Sequence, residues 1–544
     1  MQPLYLDALS AHSAGYSTSL KKFNWPISQE TYDSVALAFI QTLETISTES
    51  ALEESDRLDL SLSILPIVNE SFFYVGSHMI IDTCDRLGQK YIFSPDCLYY
   101  NAISQYRAHP TDAIRNYLVE MRNNRRRGFI SKYISPRRKI LRRYQLAVKS
   151  KFSHPRLYQM TTNRLMKEWT SSSEFVSLRS LASTTGWGLE RIGRHQPQTD
   201  LSDHIAHSFV GILAAHQFTT DKLLLEYLRQ ISAIHLSIAN FWRNKNHEKY
   251  FNTDKSVLLT ATAGGFESRL MSHVFQRNHL PVVRFTHGGE RGLINDPRWH
   301  YGELMFADQY LVHGRTEAKQ VSDAISRKTS SLTTESIKVI GVGSRFHANI
   351  RSLDSDSVKP KKVHNVMVIT TSFLGEVRPA FASAGEDIIY LEWHLRLLKS
   401  IQNANFNVTS KRHPKGSINN TKLFTGLVTD ELTDGSFTDL TTKADAFVFD
   451  FAASAFMEAL CTNKPVVLIE TPIRPLLTAG RKEVEKICTI VRADFDENNR
   501  IMADFDEVIA GLSKPVDPIL RQLFLENYLL APSPNINEFT ELLG

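Results

Sequence analysis

The order of apolar runs and helical segments in the second half of the chain limits its fold more than any other feature. From Ser256, the sequence VLLTATAGG predicts a strand and a turn, FESRLMSHVFQRN a helix, and PVVRFTHGG a strand that enters a glycine loop. The same order begins again at Val366. Because parallel strands are joined by crossover helices, this order predicts an α/β protein with two doubly wound, Rossmann-like domains.

The segment between the two runs, residues 347–365, is rich in Ser, Asp and Lys, so we expect an interdomain linker there. Two such domains leave a cleft at the carboxyl ends of their strands, where these folds bind ligands. A length of 544 residues agrees with several domains, since one core stops growing at roughly 250–300 residues. The first 250 residues look mostly helical, and short apolar runs at 64–68 and 91–93 predict strands.

Cysteine usage and the N-terminal sequence predict a cytoplasmic protein. The four cysteines form no C-x-x-C pair, which favours reduced thiols over zinc or redox motifs. The first 20 residues lack the basic and apolar regions of a signal peptide. Apolar stretches such as 209–215 are shorter than the ~20 residues that span a bilayer. We therefore expect any contact with a membrane to be peripheral.

Residues 121–167 carry fifteen Lys and Arg and no Asp or Glu, although the whole chain has a formal net charge of only +5. The rest of the chain is therefore net acidic. Such a segment either contacts an anionic membrane surface or anionic lipid-linked substrate, or forms a solvated helical face. We expect no nucleic acid as a partner, because aromatic residues that would stack on bases are sparse there.

The predicted strand AFVFD and the loop after it place Ser454 where the N-cap of a helix is expected. The free N–H groups and positive dipole at that helix end are suited to a phosphate. Glu458 lies one turn further along the same face, where its carboxylate could accept hydrogen bonds from ribose hydroxyls. The alternative is a plain cap followed by a surface residue.

The sequence KRHPKG ends another predicted strand and supplies Lys411, Arg412, His413 and Lys415. Pro414 stops the strand, and the cations and His413 predict a second anion site. A simple turn is the alternative. In a parallel sheet this loop and the Ser454 loop open on the same edge.

The loop THGGERGLINDPRWHYGE concentrates ionisable groups beside glycines. Gly288 and Gly289 lack side chains and let a substrate approach the backbone, and His287 or Glu290 is the candidate general base. Glu267, after the preceding strand, is a reserve carboxylate. A structural loop with solvated charges is the alternative. Because no His-x-x-x-His or comparable pair is present, we expect no metal, and we expect no cofactor.

Together, the RHP turn, the strand AFVFDFAAS, its continuation EALCTNKPVV and the HGG loop resemble glycosyltransferases of the GT-B fold over about residues 256–472. More narrowly, a His-Pro turn followed by a Ser motif is similar to the cytidine-nucleotide site of bacterial surface-polysaccharide enzymes. These are sialyl- and polysialyltransferases, Kdo transferases of capsule synthesis and CDP-glycerol glycerophosphotransferases of teichoic acid synthesis.

The resemblance implies that His413 and Ser454 contact the donor phosphate, that Arg412 supports its charge and that Glu458 binds the ribose. Bacterial sialyltransferases often carry paired acids before a glycine, whereas this chain has Glu290 alone. The His-Gly element of the glycerophosphotransferases is matched by His287 and Gly288, and Gly288 and Gly289 belong to the implied donor site.

The resemblance also implies an activity. It is the transfer of an acidic sugar, such as sialic acid, another nonulosonate or Kdo, from a CMP-activated donor to a capsule or lipopolysaccharide glycan or a lipid-linked glycan. The alternatives are a CDP-glycerol- or UDP-sugar-dependent transferase of the same fold, and a non-catalytic glycan- or nucleotide-binding scaffold.

The corresponding domains are an acceptor-side domain at 1–350 with a Rossmann-like core at about 256–345, and a donor domain at 364–515. A C-terminal helix within 516–544 is expected to pack back on the first domain.

Overall fold

The computed structural model describes residues 3–104, 156–170, 175–177, 199–326, 337–354, 362–413 and 418–534, with short gaps inside these ranges. Residues 121–155 of the predicted basic segment lie outside the described residues, as do Pro414 and Lys415. The strands are β1 Leu4–Tyr5, β2 Tyr91–Ile92, β3 Arg156–Gln159, β4 Phe175–Ser177, β5 Ser256–Thr260, β6 Val282–Phe285, β7 Gln309–Val312, β8 Lys338–Gly341, β9 Asn365–Ile369, β10 Asn407–Lys411, β11 Asp430–Leu432, β12 Ala446–Phe449, β13 Val466–Glu470, β14 Thr489–Phe495 and β15 Ile501–Ala503.

The α-helices pack against these strands and against one another. They are α1 Ala8–Ala14, α2 Gln29–Thr48, α3 Glu54–Arg86, α4 Arg164–Thr170, α5 Thr199–Ala215, α6 Lys222–Arg243, α7 Phe266–Arg277, α8 Trp299–Glu303, α9 Arg315–Ser326, α10 Arg345–Asp354, α11 Asp387–Asn403, α12 Phe437–Leu440, α13 Ser454–Leu460, α14 Thr478–Val484, α15 Phe505–Leu512 and α16 Pro518–Leu525.

The first large sheet is six-stranded and parallel, with the order β4-β3-β5-β6-β7-β8. Its order reverses between β3 and β5, and such a switch point is where open α/β sheets bind ligands. The sequence prediction began this sheet at Ser256 and missed β3 and β4. They are only four and three residues long, too short to show a clear alternation.

The second large sheet has the order β11-β10-β9-β12-β13-β14-β15, parallel except for the last strand. Numbered along the chain, the parallel part reads 3-2-1-4-5-6, the order of the dinucleotide-binding fold, with its switch point between β9 and β12. The predicted fold class, two Rossmann-like α/β domains, is therefore confirmed.

One local prediction was wrong, the strand at 64–68. The apolar run at 64–68 lies in the middle of α3, with Pro66 inside the helix. It lacks an exposed face because α3 is packed between α2 and α6, and a helix buried all round shows no amphipathic periodicity. The predicted linker at 347–365 begins as helix, since α10 runs to Asp354. By contrast, the strand predicted at 91–93 is present as β2, paired with β1.

By length and composition, α3 is also the one helix among the described residues that could cross a membrane. This differs from the expectation that every apolar stretch is too short. In the structure, 83% of its most apolar 18-residue window is buried inside the protein, as in the core helix of a globular domain.

The N-terminal residues contact both sheets' domains. α3 packs on α7 beside the first sheet, while α1 packs on α11 of the second domain. Backbone bonds tie the same region to the second domain, such as Trp25 N–H to the Asn498 carbonyl at 3.1 Å. The N-terminal region therefore joins the two domains instead of extending only one of them.

The C-terminal segment returns to the first domain after α16. The Ser344 N–H donates to the Leu529 carbonyl at 2.9 Å, and the Arg315 N–H donates to the Ala531 carbonyl at 2.9 Å. Ser533 and Gly341 exchange two further bonds. The segment 526–533 thus lies across the ends of β7 and β8, where it fixes one domain against the other.

A half-buried carboxyl group in the N-terminal contact predicts an unusual pH dependence of stability. Glu376 accepts the N–H groups of Tyr99 and Tyr100 at 3.0 and 2.6 Å, and burial raises its pKa from 4.5 to about 7. Between these two values the folded chain holds a proton that the unfolded chain has lost, so stability falls as pH rises from 4.5 to 7. Thermal unfolding of wild type and Glu376→Gln across this range should show a shallower fall in the variant; equal slopes would contradict the assignment.

Candidate functional site

The two domains meet at the carboxyl edges of their sheets. The loop 286–296, which follows β6, is bonded to the second domain through two backbone contacts. The Leu477 N–H donates to the Leu293 carbonyl at 2.7 Å, and the Asn295 N–H donates to the Pro475 carbonyl at 2.8 Å. The ionisable glycine loop predicted in the first domain therefore lies against the second domain.

Three predicted site residues converge at this junction. A Cβ atom built on Gly288 would lie 2.0 Å from Glu290 Oε2 and 2.7 Å from Ser454 Oγ. These two oxygens, from different domains, thus lie close together on the side of Gly288 where a side chain would project. Glu290 is 7% exposed, and its Oε2 has no hydrogen-bond partner among the described residues. An unpartnered buried carboxylate oxygen is costly and is commonly kept for function.

Ser454 is not the helix N-cap that the sequence predicts. The cap is Ala453, with φ −138°, and Ser454 is the first residue of α13. The cap has no side-chain hydrogen bond. The first-turn N–H groups of α13 therefore donate no hydrogen bond to a capping side chain, and the Ser454 hydroxyl is placed toward Gly288 instead.

Gly289, the next residue, also lies at the junction between the two domains. A Cβ there would lie 3.0 Å from Leu529 Cδ2 and 3.3 Å from Met457 Cγ. This glycine therefore packs against the second domain and the C-terminal segment. His287 is exposed at the carboxyl edge, and so is the reserve carboxylate Glu267 after β5.

Behind Glu290 lies a buried polar cluster that sequence reasoning missed. The Glu317 carboxylate accepts the His313 N–H at 2.8 Å and lies 3.4 Å from His313 Nδ1. Burial raises the pKa of Glu317, and the Glu290 charge adds to this effect. A signal was present: His313 and Gly314 follow β7 as His287 and Gly288 follow β6, and carboxyl ends of parallel strands share one edge.

Glu458 is held by a residue from the first domain. Its Oε1 accepts a bond from Arg164 at 2.7 Å, and its Oε2 accepts the Thr438 hydroxyl at 2.5 Å. The Arg164 guanidinium also lies 3.6 Å from the ring centre of Phe346. In this arrangement both Glu458 oxygens accept hydrogen bonds from protein side chains. The sequence analysis predicted that they bind ribose hydroxyls. Arg164 had been counted only as part of the basic segment.

Arg412 differs from its predicted place at the donor phosphate. It is 2% exposed, donates to the carbonyls of Ile418 and Thr421 at 3.2 and 2.5 Å, and pairs with Glu431 at 3.1 Å. Its planar guanidinium offers several donors that can close the turn after β10, so it faces the domain interior. His413, the next residue, is half-buried at the edge.

His413 and Ser454 follow strands that are separated only by β9. Lys411, Ile369 and Phe449 are in register across β10, β9 and β12. With neighbouring strands ~4.8 Å apart, the two loops begin about 10 Å apart, a span that a nucleotide's phosphate and ribose cover.

The switch point between β9 and β12 adds polar groups that sequence reasoning did not identify. The Asp450 carboxylate pairs with His394 Nε2 at 2.7 Å, and both side chains are buried. Thr370 Oγ1 and Asp450 Oδ1 are buried without hydrogen-bond partners among the described residues. The floor of this crevice therefore presents unsatisfied polar atoms where a Rossmann-like sheet binds its ligand.

No group of three or more His, Cys, Asp and Glu side chains among the described residues could hold a metal ion. The four cysteines are free.

Among known proteins, only solved structures are similar to this chain. No family model matches the sequence, and no curated protein matches it. UGT89C1 from Arabidopsis thaliana is 8% identical, with 69% of this chain and 93% of that chain covered and a TM-score of 0.34. The glycosyltransferase SnogD from Streptomyces nogalater is 11% identical, with 72% and 99% covered and a TM-score of 0.30. The glycotransferase of kitacinnamycin is 12% identical, with 72% and 97% covered and a TM-score of 0.31. Since these scores are below 0.5, the fold assignment rests on the strand orders above.

Proposed function

We propose that this protein is a glycosyltransferase that uses a nucleotide-activated sugar. The observation that carries the proposal is the junction at Gly288, where an unpartnered carboxylate oxygen of Glu290 in one Rossmann-like domain faces the Ser454 loop of the other. A base in one domain and an anion-binding loop in the other are the two parts that glycosyl transfer needs.

In the proposed reaction, the acceptor hydroxyl oxygen forms a bond to the anomeric carbon of the donor sugar, and the bond from that carbon to the nucleotide phosphate breaks. Glu290 or His287 takes the hydroxyl proton. His413, the Ser454 hydroxyl and the first-turn N–H groups of α13 stabilise the departing phosphate. Because these groups supply the positive potential, the proposal requires no metal.

The finer proposal concerns the donor and acceptor. The RHP turn and Ser454 resemble a cytidine-nucleotide site, so we propose a CMP-activated acidic sugar such as sialic acid, another nonulosonate or Kdo. The acceptor would be a bacterial surface glycan or its lipid-linked precursor. The proposed place of action is the cytoplasmic face of the inner membrane, with residues 121–167, apart from Arg164, which bonds to Glu458, contacting anionic lipid.

Replacing His413 by Ala should abolish measurable transfer without changing the fold. His413 is half-buried at the carboxyl edge of the second sheet, where its imidazole would donate to the leaving phosphate. Transfer is measured with CMP-sialic acid, CMP-Kdo, CDP-glycerol and UDP-sugars as donors. The matched control is His364→Ala, at the opposite, amino-terminal edge of the same sheet.

Wild-type activity of His413→Ala would contradict the donor-site assignment. Activity of the wild type with CDP-glycerol or a UDP-sugar alone would keep the transferase and replace the proposed donor. Binding of nucleotide without transfer from any donor would support the scaffold instead.

A further inference from the structure

Two arginines are completely buried in the first domain and form no ion pair with any described residue. Arg269, on α7, and Arg284, on β6, are each 0% exposed. Among the described residues, no carboxylate lies within ion-pair distance of either guanidinium. Arginine stays protonated under ordinary conditions, so it cannot escape the burial penalty by losing its proton.

Both side chains lie in the same layer between α7 and the sheet. Along β6, Val283 and Phe285 belong to one face of the sheet, while Val282 packs with Leu270 and Phe275 of α7 on the other. Side chains alternate along a strand, so Arg284 shares the face of Val282. It therefore points into the apolar layer that α7 covers.

Most of the donor atoms in this layer are unused. Nε, Nη1 and Nη2 of Arg269 have no hydrogen-bond partner, and neither do Nε and Nη1 of Arg284. The remaining Arg284 nitrogen donates to Ser272 Oγ at 3.2 Å and to the carbonyls of Met305 and Phe306 at 2.8 and 3.3 Å. Five buried donor nitrogens thus stay unsatisfied.

The carboxylates whose charges act on these arginines are Glu267 for Arg269, and Glu303 and Asp308 for Arg284, and none of them forms an ion pair with either guanidinium. Glu267 is exposed, and the other two are engaged elsewhere. Glu303 is bonded to Arg291 and Tyr310, and Asp308 accepts from Gln276 and the Val282 N–H. Burial and, to a smaller extent, the neighbouring Arg284 charge lower the pKa of Arg269 to about 9. Two like charges in an apolar layer repel each other and need an anion between or beside them.

We propose that Arg269 and Arg284 form an enclosed site for one small inorganic anion of the size of chloride. The anion accepts hydrogen bonds from the unsatisfied guanidinium nitrogens and balances their charge. It thereby stabilises the packing of α7 on β6, one helix turn beyond the Gly264–Gly265 loop at the cleft. The site is independent of the proposed transfer reaction.

The test is the chloride dependence of thermal unfolding of the full chain. Wild type, Arg269→Met and Arg277→Met are dialysed into sodium gluconate and titrated with sodium chloride at constant ionic strength. Arg277 lies on the same helix but pairs with Glu248 at the surface, so its variant is the matched control. We expect the melting temperature of wild type and Arg277→Met to rise with the logarithm of the chloride concentration, and that of Arg269→Met to stay constant.

An equal chloride response in all three proteins would overturn the proposal. So would an Arg269→Met variant more stable than wild type at saturating chloride, since replacing an unpaired buried charge by an apolar side chain is stabilising. If Arg269→Met does not fold, wild-type crystals grown with bromide decide the question. An anomalous peak beside both guanidinium groups supports the site, and the absence of one overturns it.

Discussion

Replacing Glu290 by Gln should lower kcat by roughly 10²- to 10⁴-fold, the usual contribution of a general base, while the melting temperature stays constant or rises. The reason lies in the same atom. Glu290 Oε2 is buried without a hydrogen-bond partner among the described residues, so replacing the carboxylate by an amide breaks no hydrogen bond at this atom. Steady-state kinetics and thermal unfolding of the purified variant measure both effects.

Glu267→Gln tests the reserve carboxylate, which is exposed after β5 at the same edge of the sheet. This variant should keep wild-type kinetics. Full activity of Glu290→Gln would exclude Glu290 as the base and leave His287, the exposed alternative. A melting temperature several degrees lower would instead assign Glu290 a structural role.

Replacing Gly314 by Ala should destabilise the protein more than other single-methyl additions. The added Cβ would lie 2.3 Å from both the carbonyl carbon and the oxygen of Tyr528. These are backbone atoms, so the segment 526–530 must move away from the first domain. Overpacking of this kind costs about 1–3 kcal/mol and occasionally more. Denaturant unfolding, followed by tryptophan fluorescence, gives the change.

Gly211→Ala is the control for this substitution. No heavy atom lies within 4 Å of a Cβ at Gly211, which is inside α5, so the alanine should stabilise by about 0.5–1 kcal/mol. An unchanged stability of Gly314→Ala would show that the C-terminal segment is not held against the first domain in solution.

The repeated strand and helix order was sufficient to predict the two sheets, because buried parallel strands are short apolar runs bounded by turn residues. The strand order itself was not predictable. The order depends on which strands pair in the folded protein. For example, β9 is the first strand of this sheet in the sequence, but it lies between β10 and β12. β3 and β4 carry too few residues for any periodic signal.

For the candidate site, sequence reasoning selected loops that lie at the carboxyl edges of strands in the structure. The meeting of Gly288, Glu290 and Ser454 was expected from that rule, but the direction of each side chain was not. Arg412 illustrates the difference. A cation at the end of a strand predicts an anion site. In the structure, however, the Arg412 guanidinium pairs with Glu431 of the neighbouring strand β11 and is buried.

The residues that were missed act across long separations in the chain. Arg164 of the first domain forms an ion pair with Glu458 of the second domain. No local sequence pattern predicts this contact. His313 and Glu317 lie four residues apart and form a pair. Their position behind Glu290, whose charge raises the pKa of Glu317, follows only from the fold.

The most direct test of the central claim is a thermal-unfolding titration of the full chain with CMP, CDP, UDP and GDP, each with and without magnesium. A ligand at about 100 times its dissociation constant stabilises by about 2.7 kcal/mol. We predict that CMP stabilises the protein selectively and without magnesium, and that His413→Ala loses this response. A response to CDP or UDP alone would replace the donor, and no response to any nucleotide would contradict the claim that this cleft binds a nucleotide-activated sugar.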